Sequence, residues 1–530
     1  MPAPAAPVVA PVFATDRAVI VGAGLAALYA ALALAPRGVV IVSPGPLGES
    51  ASSAWAQGGV AAAVGPGDSP AQHVADTLRA GAGTVDAEVA YGVTREALDH
   101  ILTLADRGAP FDRDAAGGFV LSREAAHGRA RVVRVRGDRA GHEIMAALIA
   151  ALRAAPSVQV LEGVTATGLE VEGGRVAGVR LAAADGRSGE ALLRAPAVLL
   201  ATGGVGGLYA RTTNPGSIRG QGLGLAARAG AAVADAEFVQ FHPTAIDCDE
   251  DPLPLATEAL RGEGALLIDR DGRRFMANLH PDAELAPRDV VARAVFAAGQ
   301  AGLGPMLDTR AAIGLAIDEA FPTVAAACRR LGIDPARDAI PVAAAAHYHM
   351  GGLAVTAEGR TSLPGLWAVG EVSSTGLHGA NRLASNGLLE ALVFGRRAAL
   401  DIAPRLGPEA GPEVRLTPPP GETGADPAAV AALRRIMTDQ VGVLRSGAGL
   451  AAALAGIAAL EAAHPTPGFR NMTAAATLIA ASALARQESR GGHFREDFPS
   501  ADPALARRSR IAWAEALALR AAASGAEVAA

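Results

Sequence analysis

Phe241-His242-Pro-Thr244, Thr257-Glu258, Arg261, Arg288, His347-Tyr-His349 and Arg382 spread imidazoles, guanidinium groups, hydroxyls and a carboxylate over the middle of this chain. Arginine's planar fork takes a carboxylate in bidentate fashion, and a neutral imidazole donates to the same oxygens. Together these residue types suit a pocket for a dianionic small molecule, a dicarboxylate first of all. Singly they carry little, because an isolated arginine is ordinarily solvated and an isolated histidine is ordinarily a hydrogen-bonded structural residue.

A second group lies nearer the two ends. The apolar run Ala18-Val-Ile-Val21 leads into Gly22-Ala23-Gly24-Leu25-Ala26-Ala27, a G-x-G-x-x-A turn of the kind that lets backbone approach a pyrophosphate at a helix N-terminus. The bare fingerprint is weak. It gains weight from the helical pattern 25–35 and the apolar strand Val39-Val-Ile-Val42, which complete a βαβ unit. Ser43 and Pro44 stand where a nicotinamide site would want an acid for the ribose, which argues against NAD. Downstream, Ser52, Ser53, Ala54, Trp55, Ala56, Gln57, Gly58 and Gly59 offer hydroxyls, an amide and glycines, the chemistry of a loop laid against a polar planar ring system. Gly365-Leu-Trp-Ala-Val-Gly-Glu371 and His378-Gly-Ala-Asn-Arg382-Leu-Ala-Ser385-Asn-Gly387-Leu388 are expected to return to this site and close it.

The elements that position these distant groups read as a layered α/β fold. Apolar strands and helices alternate from Ala18 to about Ala232, and the turn Ala201-Thr-Gly-Gly204 falls at a strand's carboxyl end, where doubly wound sheets bind ligands. The expectation is a Rossmann-like dinucleotide-binding domain over 17–233 and 349–403, interrupted by an α+β capping domain over 234–348. A Pro/Gly-rich linker over 404–425 leads to a C-terminal helical bundle over 426–530, with helical spacing at Pro427–Gln440, Gly449–Ala463 and Asn471–Gln487. Residues 1–16 read as a disordered tail.

Composition excludes several classes. A net charge of −6 over 530 residues, with basic residues dispersed, gives no nucleic-acid surface. No apolar run approaches the roughly 18 residues of a membrane span, and the leader lacks a secretion signal. Cys248 and Cys328 stand far apart, which fits a reducing cytoplasm and gives no metal or iron-sulfur ligand set; no metal site is expected. Every basic side chain other than histidine is arginine. Without lysine the chain can form no Schiff base with pyridoxal phosphate and no P-loop.

Taken in order, these segments resemble the succinate dehydrogenase/fumarate reductase flavoprotein superfamily, and within it the L-aspartate oxidase family, from Ala18 to about Pro499. The distinguishing element is Ser122-Arg-Glu124-Ala-Ala-His127, similar to the R-E-x-x-H segment in which the family's glutamate faces a substrate ammonium. The resemblance implies oxidation of L-aspartate to iminoaspartate, with oxygen or fumarate as electron acceptor, as the first step of quinolinate and NAD biosynthesis. It implies FAD as cofactor, noncovalent because Ser52 falls close to where relatives carry a covalently linked histidine, and transient contact with quinolinate synthase. By the same carry-over Arg288 is the proton donor and acceptor, Glu258 and Arg261 a relay, and Glu124 the ammonium ligand. His242, Thr257, His347 and Arg382 hold carboxylates. Gly22 to Ala26, Ser52 to Gly59, Thr165, Ala166, Gln221, Glu371, Gly387 and Leu388 line the FAD site. Gln221 replaces a frequent aspartate, Gly387 a usual serine, and Arg134-Val-Arg136 a His-Ala-Gly-type segment, so no side-chain contact is carried over there. Two other readings stay open: a soluble fumarate reductase or succinate dehydrogenase flavoprotein, and a non-catalytic FAD-binding partner of an electron-transfer complex.

Overall fold

The computed structural model describes residues 10–49, 51–523 and 525. At its centre is a parallel five-stranded sheet, in the order Leu366–Ala368, Val198–Leu200, Ala18–Val21, Val39–Ser43 and Val158–Glu162. The first four strands are buried throughout, which is why they read as unbroken apolar runs and not as alternating ones. Leu25–Leu34 follows the central strand Ala18–Val21, and Asn386–Ile402 returns from far downstream to share its apolar core.

A second sheet joins Val164–Glu172, Arg175–Ala183 and Ala191–Arg194 as an antiparallel meander. Val12–Ala14 adds to it in parallel, so the end of the expected disordered tail is ordered: its backbone pairs with Leu192–Arg194. The rest of that tail, 1–9, lies outside the described residues, as do 524 and 526–530 of the expected C-terminal domain.

Val239–Ile246, Ile340–His349, Met306–Asp308 and Leu266–Ile268 form a separate antiparallel sheet. Its own core includes Ile246, Leu267, Val291, Val295, Phe321, Val324 and Val342. Helix Arg288–Gln300 contributes to that core, which leaves Arg288 at the helix start, next to the strand carrying His242. The chain enters and leaves this unit by neighbouring strands, since Val233–Ala234 pairs with Gly352–Ala354.

Helices Pro427–Gln440, Gly447–Ala463, Pro467–Ala485 and Trp513–Ala523 make the C-terminal part. The Pro-rich segment before them is not a free tether. Val414 exchanges two hydrogen bonds with the Gln159 amide at 2.7 and 2.8 Å, and Thr423 N–H donates to Gly186 O at 2.9 Å. Polyproline-like backbone has no internal partners, so its groups pair with what it lies on.

Candidate active site

One cavity of about 1300 Å³ gathers the two groups of residues. Its lining includes Gly22 to Ala26, Ser52 to Gly59, Thr165, Ala166, Gln221, Glu371, Gly387 and Leu388, together with Glu124, His242, Thr257, Glu258, Arg288, His347 and Arg382. Arg261 is not part of the wall and sits behind Glu258; Thr244 and His349 also lie outside the lining.

The glycine turn is built for close approach. Gly22 has φ +114°, and a β-carbon there would meet Ala201 O at 2.2 Å. Ser53 Oγ accepts from Leu25 N–H at 3.1 Å, which fastens the serine-rich loop to the helix N-terminus. Ser52 Oγ, Gln57 Oε1 and Thr202 Oγ1 line the cavity, yet are buried without a hydrogen-bond partner in the protein. Buried polar atoms are nearly always satisfied, and these three keep hydrogen-bonding capacity beside the cavity that a polar ligand could use. A long cavity with a glycine cradle and unpaired oxygens fits a dinucleotide of FAD's size and chemistry. Ser52 offers a hydroxyl where a covalent link would need a nucleophilic imidazole.

Three residues here have local physical accounts. Glu371 accepts the His349 N–H at 2.9 Å, and burial lifts its carboxyl to about 7. Gln221 spends its amide on its own loop, accepting from Arg219 N–H at 2.9 Å and donating to Ser217 O at 3.2 Å. Gly387 faces the Tyr348 ring, where a β-carbon would come within 3.0 Å, so a side chain there would press on that ring.

The other residues set imidazoles and guanidinium groups along the same wall as two carboxylates, Glu258 and Glu124. His242 Nδ1 accepts from Thr244 N–H at 3.2 Å, so its Nε2 carries the proton. His347 Nδ1 shares a hydrogen bond with Thr213 Oγ1 at 2.8 Å, and the two imidazole centroids lie 4.9 Å apart. Burial, and after it the Arg288 charge, holds both well below the usual histidine range, so both are neutral. Arg382 stacks on Tyr348 at 4.3 Å, and its buried Nε has no partner in the protein. Burial and the neighbouring Arg288 lower it to about 10, which leaves it cationic at neutral pH.

Arg288 is held from two directions, donating from Nε to Glu258 Oε2 at 2.5 Å and from Nη1 to Gln240 Oε1 at 2.9 Å. The Gln240 amide in turn donates to Asn381 Oδ1 and Arg382 O, both at 2.9 Å, which links the two arginines. Arg261 Nη2 lies 3.2 Å from the other oxygen of Glu258. Burial pushes Glu258 up, but the two guanidinium groups outweigh it and keep the carboxyl below its ordinary range.

Glu124 differs. It is buried, accepts the Ser385 hydroxyl at 2.9 Å, and is raised to about 7 by burial and then by the Glu258 charge. Glu258 is already matched by two guanidinium groups, so Glu124 is the carboxylate of this pair left without a cation in hydrogen-bond contact, which suits an ammonium group. No side-chain role is legible in the sequence for Gln240, Tyr348 or Thr213, and Ser385 is legible only as part of the segment expected to close the site. Tyr348 and Ser385 lie inside motifs already quoted, whereas nothing in the sequence marks Gln240 or Thr213.

The comparisons agree with this geometry. Residues 17–388 match the family model described as an FAD binding domain, and 464–526 the one described as fumarate reductase flavoprotein C-term. An L-aspartate oxidase of Caulobacter vibrioides is 56% identical over 92% of this chain and 94% of its own length. One of Agrobacterium fabrum is 49% identical over 93% of each. A solved E. coli quinol fumarate reductase FrdA carrying a mutation superposes with a TM-score of 0.81 at 26% identity, over 93% of both chains. A glycine cradle that fits FAD, a donor-lined pocket around Glu124, and relatives matched over nearly their full length lead to one conclusion: the chain belongs to the L-aspartate oxidase family of FAD-binding flavoproteins.

Proposed function

We propose that this protein oxidises L-aspartate to iminoaspartate, with FAD in the glycine-lined cavity and oxygen or fumarate as the final acceptor. FAD, when bound, supplies an acceptor for the hydride that leaves Cα. Arg382, His242, His347 and Thr257 hold the two carboxylates, the arginine by charge and the neutral imidazoles as donors. Glu124 takes the ammonium. With both carboxylates and the nitrogen fixed, the Cα–H bond is the one left to orient. Arg288, immobilised by Glu258 and Gln240, is the proton donor and acceptor at the pocket wall. Arg261 meets the far oxygen of Glu258 and is the next member of that relay.

The observation that carries the reading is Glu124, buried in a pocket of cations and donors. A dicarboxylate without an amine, such as succinate or fumarate, gives a buried carboxylate nothing to bind, so the fumarate reductase reading leaves Glu124 unexplained. The test compares L-aspartate and succinate as electron donors to one acceptor; faster turnover with succinate would contradict the assignment.

Iminoaspartate hydrolyses readily in water, so its consumer is a condensing enzyme in transient contact, quinolinate synthase, in the cytoplasm. The free Cys248 and Cys328 suit that reducing compartment. Among the described residues, no helix is long and apolar enough to cross a membrane. We also divide the chain into an FAD-binding domain over 17–233 and 349–403, a cap over 234–348 and a helical domain over 426–530. The pairing of Val233–Ala234 with Gly352–Ala354 at the junction supports this division.

A further inference from the structure

We infer that His127 and His73 are positioning residues for the ammonium side of the pocket, clamping the two neighbours of Ser385 and so aiming its hydroxyl at Glu124. The inference rests on the reading of Glu124 as the ammonium ligand.

Ser385 has φ +63°, in the left-handed region, as the N-cap of helix Asn386–Ile402, and its side chain makes no capping bond to that helix. A residue with a β-carbon stays in this conformation only when its surroundings impose it. Its hydroxyl is free to donate outward and reaches Glu124 Oε2 at 2.9 Å.

Backbone bonds hold the turn, from Ala61 N–H to Ser385 O and from Asn386 N–H to Leu383 O, and two imidazoles hold the residues on either side of Ser385. His127 Nε2 lies 3.0 Å from Ala384 O, and because a carbonyl only accepts, that nitrogen carries the proton. His73 Nε2 lies 2.7 Å from Asn386 Oδ1, while the amide nitrogen of Asn386 donates to Thr77 Oγ1 at 3.1 Å. The rings lie side by side with centroids 6.2 Å apart, and the Nδ1 atom of each is buried without a partner. Each ring therefore has one side-chain hydrogen bond, and each bond goes to a residue adjoining Ser385. Burial keeps both imidazoles neutral, near 3 for His73 and 4 for His127, so each is a single-proton donor at working pH.

His127 also shares the short segment that carries Glu124. Its N–H donates to Glu124 O at 3.2 Å, the next N–H, of Gly128, donates to Asp76 Oδ2 at 2.7 Å, and Asp76 pairs with Arg131 at 2.7 Å. One imidazole thus ties the carboxylate's loop to the hydroxyl's turn. Neither His73 nor His127 lines the cavity, so any effect they have on substrate passes through these neighbours.

The test is a double-mutant cycle on the holoenzyme, following both L-aspartate oxidation and fumarate reduction, with flavin content and melting temperature as folding controls. His127→Phe is expected to raise the aspartate KM about tenfold and to move the fumarate KM less than about twofold. His127→Gln, which restores a donor near the Nε2 position, should recover most of the loss. His127→Phe added to Ser385→Ala should do no more than Ser385→Ala alone. Equal losses for both substrates, or effects that multiply in the double variant, would overturn the inference. Should His127→Phe not fold, His73→Leu enters the same cycle with Ser385→Ala. If the unmodified enzyme does not oxidise aspartate at all, the functional reading fails first and takes this one with it.

Discussion

A β-carbon on Gly58 would lie 2.6 Å from Glu124 Oε1, so the loop that lines the cofactor cavity and the carboxylate assigned to the ammonium occupy adjoining space. A side chain at 58 would have to move the Glu124 carboxylate, whereas the backbone there is not left-handed and makes no demand for glycine. Gly58→Ala should displace the Glu124 side chain and raise the aspartate KM at least about tenfold, with a smaller change for fumarate. Steady-state kinetics with both substrates checks this.

Glu124→Gln removes the charge and keeps the shape. Only aspartate carries an ammonium, so kcat/KM for aspartate oxidation should fall about 100-fold while fumarate reduction changes less than about threefold. Equal losses would remove Glu124 from the assigned role.

The pH dependence has a definite sign. Burial raises Glu124 to about 7, so the carboxyl is neutral below that pH and ionised above it. An ammonium is held by the ionised form. kcat/KM for aspartate should therefore fall as pH drops below about 7, approaching tenfold per pH unit, and Glu124→Gln should abolish that limb. Fumarate reduction should lack this limb. A pH series with both substrates separates the cases.

Arg382 stands on the Tyr348 ring with an unpaired Nε. In the proposed role Arg382 holds a carboxylate of aspartate and of fumarate alike, so Arg382→Leu should raise both KM values about 100-fold or more, unlike the selective loss at Glu124. Titration of each ligand against the variant's flavin spectrum measures it.

Much of the site was legible in the sequence because its carriers are local. The Gly22–Gly24 turn and the apolar strands around it announce themselves by spacing, and the parallel sheet buries both faces of those strands. Helix Pro427–Gln440 follows its apolar spacing within the range expected. Roles such as those of Glu124 and Arg288 came from family likeness, and spacing alone would not have assigned them. Contacts made across long separations were not legible. Gln240 reaches Arg288, Asn381 and the Arg382 carbonyl only because the strand Val239–Ile246 runs past all three. The linker read from proline content is a strap, since composition does not reveal that Gln159 waits to pair with Val414. Val12–Ala14 looked like tail because a three-residue strand has no period to detect.

The central claim is that this pocket takes electrons from L-aspartate. The most direct measurement is the visible flavin absorbance of the purified protein under anaerobic conditions, after addition of L-aspartate and then of fumarate. Bleaching by aspartate with recovery on fumarate is the predicted result. A flavin that aspartate leaves oxidised, while chemically reduced protein is still reoxidised by fumarate, would contradict it and make the protein a fumarate reductase.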